Sequence, residues 1–398
     1  MPIRKLLIGM NPQDFVSPSS GKVIRSPREY WAFVPAPLPP TLNWTAHLVS
    51  LVGEAERALA ELSTIGKSFP APHVFTGSFI RQEAVMSSRI EGTQATLEEI
   101  YQYEAGFLPA SRPKSDAKEV HNYVTALDYG LSRLSTLPVS LRFICELHQR
   151  LMEGVRGEVW TPGEFRRSQN WIGPAGSTLE NAPYVPPPVD EMTEALGQLE
   201  RYIHEPSDIP PIARVGLIHY QFEAIHPFLD GNGRVGRLLI VLLLCQWKLL
   251  PQPLLYLSHY FEKHRSKYYA HLLAISQEGK WGEWLAFFLT GLRDQSREAT
   301  IRIQKLQSLR EKYHLEFADQ RNSVLLQKMA DFLIGHPIVT IAQAQKALNL
   351  GDFKTTQRYV SKFQEAGILT EITGKSRNRL FRANEILKAI EEPVNAPG

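Results

Sequence analysis

The run from residue 238 to residue 250, Leu-Leu-Ile-Val-Leu-Leu-Leu-Cys-Gln-Trp-Lys-Leu-Leu, sets the first limit on what this chain can become. It is the longest apolar stretch, is broken by Gln246 and Lys248, and falls short of the roughly 20 residues a bilayer-spanning helix needs. A helix this apolar belongs inside a core. A length of 398 residues with 43% hydrophobic content is ample for sizeable cores in two or three domains. Cys145 and Cys245 are too few for a disulfide framework and point to a reducing compartment. Residues 1–8 are basic but lack an apolar run long enough for a signal peptide. A soluble, cytoplasmic protein with no membrane partner is therefore expected. The net charge of +3 excludes a chain that is basic throughout. The excess is local: residues 321–398 carry a net +4 and the remainder −1.

Hydrophobic periodicity and turn residues divide the chain. Prolines at 35–40 separate an irregular N-terminal arm from a helix over 44–64. A helix over about 76–90 follows, with Gly92 placed to end it. The next, 96–104, has Thr96 as N-cap and Glu99 at the capping-box position. Helices are expected over 115–135 and 140–153. The stretch 160–189 changes texture, and 171–185 reads as a hairpin-like excursion before Pro186-Pro187-Pro188. Helices resume at 191–203, 212–224, 233–249, 260–278 and 281–293, and a long polar helix over 294–317 reads as a connector. Helices over 323–334, from Thr340 to Gly351 and from Asp352 to Gly367 follow. Two strands, 368–373 and 380–383, complete a pattern that resembles a winged helix-turn-helix domain.

The chemistry concentrates in residues 226–237, His-Pro-Phe-Leu-Asp-Gly-Asn-Gly-Arg-Val-Gly-Arg. Pro227 stops the preceding helix, which places His226 at a helix-to-loop transition. Gly231, Asn232 and Gly233 can aim backbone N–H groups at one point, and the loop feeds a helix N-terminus, an anion site. Arg234 and Arg237 add two guanidinium forks that fit a polyphosphate. Asp230 beside them suits the magnesium that accompanies a nucleotide. His226 is the one group here that can take a proton near neutral pH. A dinucleotide fingerprint is formally matched by Gly231, Gly233 and Gly236, but it lacks the preceding strand and the downstream acid. A P-loop fails because no Gly-Lys-Ser/Thr follows. His219 has no third ligand at metal-site spacing and reads as a core histidine.

This segment resembles the signature of the Fic family, His-Pro-Phe-x-Asp/Glu-Gly-Asn-Gly-Arg-x-x-Arg, with every fixed position present. The resemblance implies a protein adenylyltransferase that moves AMP from ATP to a Ser, Thr or Tyr hydroxyl of a protein target and releases pyrophosphate. In that role His226 is the general base, Asp230 the Mg2+ ligand, and Phe228 a core anchor. Residues 231–237, namely Gly231, Asn232, Gly233, Arg234, Val235, Gly236 and Arg237, bind ATP, with both arginines on its β- and γ-phosphates. Gly233 stands where the phosphotransferase branch resembling Doc toxins has Lys, which favours AMP transfer. Ser87-Ser88-Arg89-Ile90-Glu91-Gly92 resembles the family's inhibitory pattern, Ser/Thr-x-x-x-Glu-Gly/Asn. Ser87 and Glu91 are four apart on one helical face, and by resemblance Glu91 pairs with Arg237 to block the γ-phosphate. The same resemblance allows self-modification and removal of AMP, makes 171–188 a flap that aligns the target by strand addition, and places Tyr269 against the adenine or ribose. It also implies a homodimer and a bacterial source.

The implied fold is mainly α: a Fic-type helical bundle with a β-hairpin flap, plus a C-terminal winged helix-turn-helix domain. The expected division is 1–110 with the inhibitory helix at about 76–92, a catalytic domain over 111–295, a connector over 296–320, and the winged domain over 321–398. In the last, Lys354, Arg358 and Lys362 form one stripe, and Lys375, Arg377 and Arg379 lie in the wing. That pattern suits phosphate contacts, yet winged helices also serve protein interaction. A DNA-binding transcriptional regulator with the Fic domain as nucleotide sensor is the alternative function.

Overall fold

Among its described residues the chain folds around helices, with two small sheets. A computed structural model describes residues 9–68, 73–107, 114–155 and 161–392; residues 1–8, Trp160 and the expected boundary at 110/111 lie outside them. In chain order the elements begin with the strands β1 (Gly21–Arg25) and β2 (Trp31–Pro35). Eight helices follow: α1 (Ala46–Ser68), α2 (His73–Ile90), α3 (Leu97–Glu104), α4 (Lys114–Arg133), α5 (Leu141–Leu151), α6 (Val189–His204), α7 (Pro211–Ile225) and α8 (Asn232–Gln246). Next come α9 (Ser258–Lys263), α10 (Arg265–Glu278), α11 (Trp281–Glu316) and α12 (Ser323–Gly335). The chain closes with β3 (Ile338–Thr340), α13 (Ile341–Ala347), α14 (Phe353–Glu365), β4 (Thr370–Glu371), β5 (Leu380–Arg382) and α15 (Asn384–Glu391). No described helix is long and apolar enough to cross a membrane.

These elements form two compact units that interleave along the sequence. The first comprises Met1–Arg57, Thr125–Leu249 and Tyr260–Arg293, the second Ala58–Val124, Leu250–His259 and Asp294–Gly398. In the first unit α8 is the buried helix its composition demands: every residue from Arg234 to Leu244 is buried. Each of its leucines contributes roughly 1.5–3 kcal/mol by leaving water. Trp284 of α11 anchors the neighbouring helix by donating from Nε1 to the Gly216 carbonyl at 2.9 Å. The N-terminal arm is not irregular: β1 and β2 pair antiparallel, Gly21 opposite Pro35, and the Phe33 N–H donates to the Val185 carbonyl at 2.9 Å. Charged residues on β1 and the proline-rich flanks mask this hairpin in the sequence.

In the second unit α2 packs against α12. Ser78 Oγ donates to the Ile334 carbonyl at 3.1 Å and accepts from the Tyr101 hydroxyl at 3.2 Å. The expected capping box at Thr96 and Glu99 is present, and Thr340 and Asp352 cap α13 and α14. The C-terminal sheet has the order β3-β5-β4, so β3 is a third strand beyond the two expected. Other boundaries also move. The helix expected over 260–278 is two, α9 and α10, divided at His264. The segments 281–293 and 294–317 form one continuous helix, because nothing at Arg293-Asp294 breaks the 3.6-residue repeat. The helix from Thr340 ends at Ala347 rather than Gly351, where Asn349 turns to φ +51°.

Candidate active site

The site begins where α7 stops. His226 follows its last residue; the N–H closes the helix onto the Phe222 carbonyl, and the backbone turns to φ +49°, ψ 62°. Pro227 cannot continue the helix, so the chain leaves it here. His226 Nδ1 lies 3.3 Å from the Glu223 carbonyl. A carbonyl only accepts, which assigns a hydrogen to Nδ1; in the neutral ring the lone pair is then on Nε2.

The following loop is held from inside. Asn232 clamps Phe228 with both ends of its amide: Oδ1 accepts from the Phe228 N–H and Nδ2 donates to its carbonyl, each at 2.8 Å. The Phe228 ring is fully buried, as expected of an anchor, and stacks on His148 with centroids 3.7 Å apart. His148 Nδ1 accepts from the Gly163 N–H at 2.8 Å, so its Nε2–H is the donor that holds the Asp230 carbonyl at 3.1 Å. Burial drives its pKa down to about 4, which keeps the ring neutral. Gly231 sits at φ +79°, and a Cβ there would press to 3.0 Å from Met152 Sδ. Arg166 and Asn170 reach the loop from the chain entering the flap and bind the carbonyls of His226 and Phe228.

Asn232 opens α8, and Gly231 supplies no side-chain cap, which leaves the first-turn N–H groups of this helix pointing at the loop. Gly233, Val235 and Gly236 lie along the same turn. Arg234 and Arg237 are 3% and 1% exposed, so they are not solvated surface charges. Arg234 lies 3.6 Å from Asp230 Oδ1, which also accepts from the Gly231 N–H at 2.6 Å. Gly236 has a steric reason: a Cβ would stand 2.3 Å from Glu223 Oε1. Its carbonyl accepts from His219 Nδ1 at 3.1 Å, and His219 Nε2 accepts from the Tyr268 hydroxyl at 2.8 Å. Burial, with the charge of Arg237 adding to it, lowers the His219 pKa to about 3. His219 is thus a core histidine, and no trio of His, Cys, Asp or Glu able to hold a metal occurs among the described residues. Tyr269, next to the buried Tyr268, is 40% exposed, with the Arg265 guanidinium 5.9 Å over its ring.

The flap segment closes through a single bridge, Ile172 opposite Tyr184, rather than a regular ladder. Its tip folds on itself, with Trp171 Nε1 donating to the Ser177 carbonyl at 2.9 Å. Its base is tied to α7 by the Tyr184 hydroxyl on the Ala224 carbonyl at 2.9 Å. Ser87 and Glu91 belong to the other unit. Ser87 is buried in α2, which spans His73–Ile90, and Glu91 is the first residue beyond it, its N–H donating to the Ser88 carbonyl at 3.0 Å. Sequence reading missed His148, Arg166 and Asn170. Their only mark there is the occurrence of polar side chains in segments that the fold buries.

Comparison with known proteins agrees with this geometry. The Fic/DOC family N-terminal model matches residues 49–132 and the Fic/DOC family model residues 138–244. The protein adenylyltransferase Fic of Drosophila melanogaster is 28% identical over 240 residues, 56% of this chain and 44% of the relative. That of Drosophila erecta is 30% identical over 207 residues, 50% of this chain and 37% of the relative. The chain therefore spans less than half the length of these curated relatives. A Fic family protein from Desulfovibrio desulfuricans shares the fold with TM-score 0.57 at 21% identity, over 87% of this chain and 98% of that one. A Fic domain containing signaling protein from Bacteroides thetaiotaomicron reaches 0.50 at 17% identity, over 63% and 97%. The two family models thus match this chain in order, over residues 49–132 and 138–244, and the loop is built as the residues of the similar signature require.

Proposed function

We propose that this chain is a magnesium-dependent protein adenylyltransferase. The observation that carries the reading is the head of α8, where two buried arginines follow a clamped glycine loop that comes directly after a histidine whose Nδ1 donates to a backbone carbonyl. The target hydroxyl oxygen attacks the α-phosphorus of ATP and gives its proton to His226 Nε2. The bond from that phosphorus to the bridging oxygen breaks, and pyrophosphate leaves against Arg234, Arg237 and the first-turn N–H groups. Asp230 suits a magnesium ion, which typically takes one or two carboxylates and completes its shell with phosphates and water. Its carboxylate is 43% exposed beside the anion site and is the one acid of the loop. When bound, the ion neutralises charge on the phosphates.

The Ser87-to-Gly92 pattern supports restraint of the reaction by Glu91 acting on Arg237, with self-modification and AMP removal as regulated side activities. The flap aligns the target segment, and Tyr269 offers an exposed ring to the base or ribose. A cytoplasmic setting suits the two thiols, both free, whose pKa values burial raises to about 11 for Cys145 and about 12 for Cys245. A homodimer remains part of the proposal. The decisive measurement is transfer of label from α-labelled ATP by wild type, Glu91→Gly and His226→Ala. Label rises about tenfold or more in Glu91→Gly and vanishes in His226→Ala. A Glu91→Gly protein that binds ATP yet transfers no label sinks the reading.

A second reading, DNA binding with the Fic domain as nucleotide sensor, is favoured by one observation. Lys354 and Arg358 on α14 and Lys375 and Arg377 between β4 and β5 are all exposed. The order α12-β3-α13-α14-β4-β5 supports the winged-helix expectation. A gel shift with the full chain at low and moderate salt tests it, and absence of binding at low salt rejects it.

A further inference from the structure

We infer that Arg166, with Asn170 beside it, is the positioning residue of His226 and keys the catalytic loop to the stem of the flap. The inference rests on the reading of His226 as the base.

His226 is a non-glycine residue held at φ +49°. L side chains rarely adopt that region, and it persists only where surrounding structure over-determines it. The restraint is identifiable. The His226 carbonyl accepts from Arg166 Nε at 3.0 Å and from Asn170 Nδ2 at 3.2 Å, which engages both of its lone pairs. The next carbonyl, Pro227, accepts from the Arg166 backbone N–H at 2.9 Å. The one after it, Phe228, accepts from Asn170 Nδ2 at 2.8 Å. Three consecutive carbonyls of the catalytic loop are thus gripped from one stretch, residues 166–170.

Arg166 spends the rest of its fork in the same way. Nη1 donates to the Ser168 carbonyl and Nη2 to the Pro187 carbonyl, at the end of the flap. The side chain is 1% exposed. Burial lowers its pKa only to about 10, so it is charged at neutral pH. A planar guanidinium presents its donors on three separate nitrogens in one rigid fork, a spread that the single nitrogen of an ammonium does not reproduce. His226, whose ring direction follows from its backbone, is therefore coupled to Pro187, and a target seated on the flap bears on the base through Arg166.

The test compares Arg166→Lys and Asn170→Ala in the Glu91→Gly chain. Steady-state AMP transfer, ATP affinity and Tm are measured. Long-range ¹H–¹⁵N spectra of ¹⁵N-histidine protein are recorded beside them, with His226→Ala identifying the ring. Arg166→Lys should lower kcat about 100-fold, the cost of a misplaced catalytic group, and Asn170→Ala about 10-fold. ATP affinity should hold within about threefold, because the phosphate-binding turn begins after the gripped carbonyls. The His226 ring should lose its single Nδ1–H tautomer. Unchanged kcat overturns the proposal, as does a loss of kcat matched by equal losses of ATP affinity and Tm. If Arg166→Lys fails to fold, Asn170→Ala carries the test alone. If the Glu91→Gly parent binds ATP but transfers no AMP, the functional reading has failed separately. The tautomer then decides, and an unchanged ring in the variants overturns the positioning role.

Discussion

Basic residues stand at two helices of this protein, α8 and α14, under opposite physical conditions. On α8, Arg234 and Arg237 are buried, and their setting is assembled from segments far apart in sequence: Met152, His148 and the clamped loop. On α14, Lys354 and Arg358 stand in solvent. A buried guanidinium acts through fixed geometry in a low dielectric, so it can discriminate one phosphate arrangement from another. An exposed stripe acts through summed charge that salt screens within about 8–10 Å. Similar side chains are thus a preorganised site in one unit and a screened surface in the other.

Variants can break or sharpen this contrast. The largest effect is expected at His226→Ala in the Glu91→Gly chain, where label transfer should fall by about 10²–10⁴; residual transfer above a tenth of the parent rate removes His226 from the role of base. Next, Arg237→Lys keeps the charge but loses the fork, and transfer should fall by about 10- to 100-fold at saturating target. If Lys substitutes freely, the buried arginines act as point charges and the contrast weakens.

A smaller effect concerns pH. Folded His219 stays neutral down to about pH 3, whereas an unfolded histidine takes a proton near 6.5. The native state therefore binds fewer protons, so this contribution to stability is full above about 6.5 and is lost as pH falls towards 3. Denaturant melts at pH 7, 5 and 4 should show that decline, and His219→Gln should flatten it. The smallest effect is expected from Lys354→Ala with Arg358→Ala. Nucleic-acid binding, measured by gel shift over a salt series, should lose about one unit of log–log salt slope per phosphate contact. AMP transfer should be unaffected. A change in transfer instead would mean that α14 serves the catalytic reading.

Local signals were legible at once. The capping box expected at Thr96 and Glu99 forms, because a cap is decided within four residues. The buried character of α8 followed from its composition. The break at His264 and the hairpin of β1 and β2 were not legible. They depend on which neighbours a segment meets, and β1 reads as polar until Phe33 of its partner strand is seen to hydrogen-bond to Val185. At the site the split is the same. The motif named His226, Asp230, Asn232 and both arginines, but neither it nor the flap reading gave His148, Arg166 or Asn170 a role.

The sequence by itself determined the chemical inventory: a histidine after a helix stop, a glycine loop, two arginines at a helix start, and one apolar helix that had to be buried. Those are properties of neighbouring residues and of short-range geometry. Only the tertiary structure decided the rest. It turned Asn232 inward as a clamp, made His148 the support of Asp230, and brought Arg166 from 60 positions away to the His226 carbonyl. The physical reason is that hydrogen-bond satisfaction inside a core is a global condition. A buried carbonyl takes its donor from whichever segment packs against it, and no local pattern records which one that is.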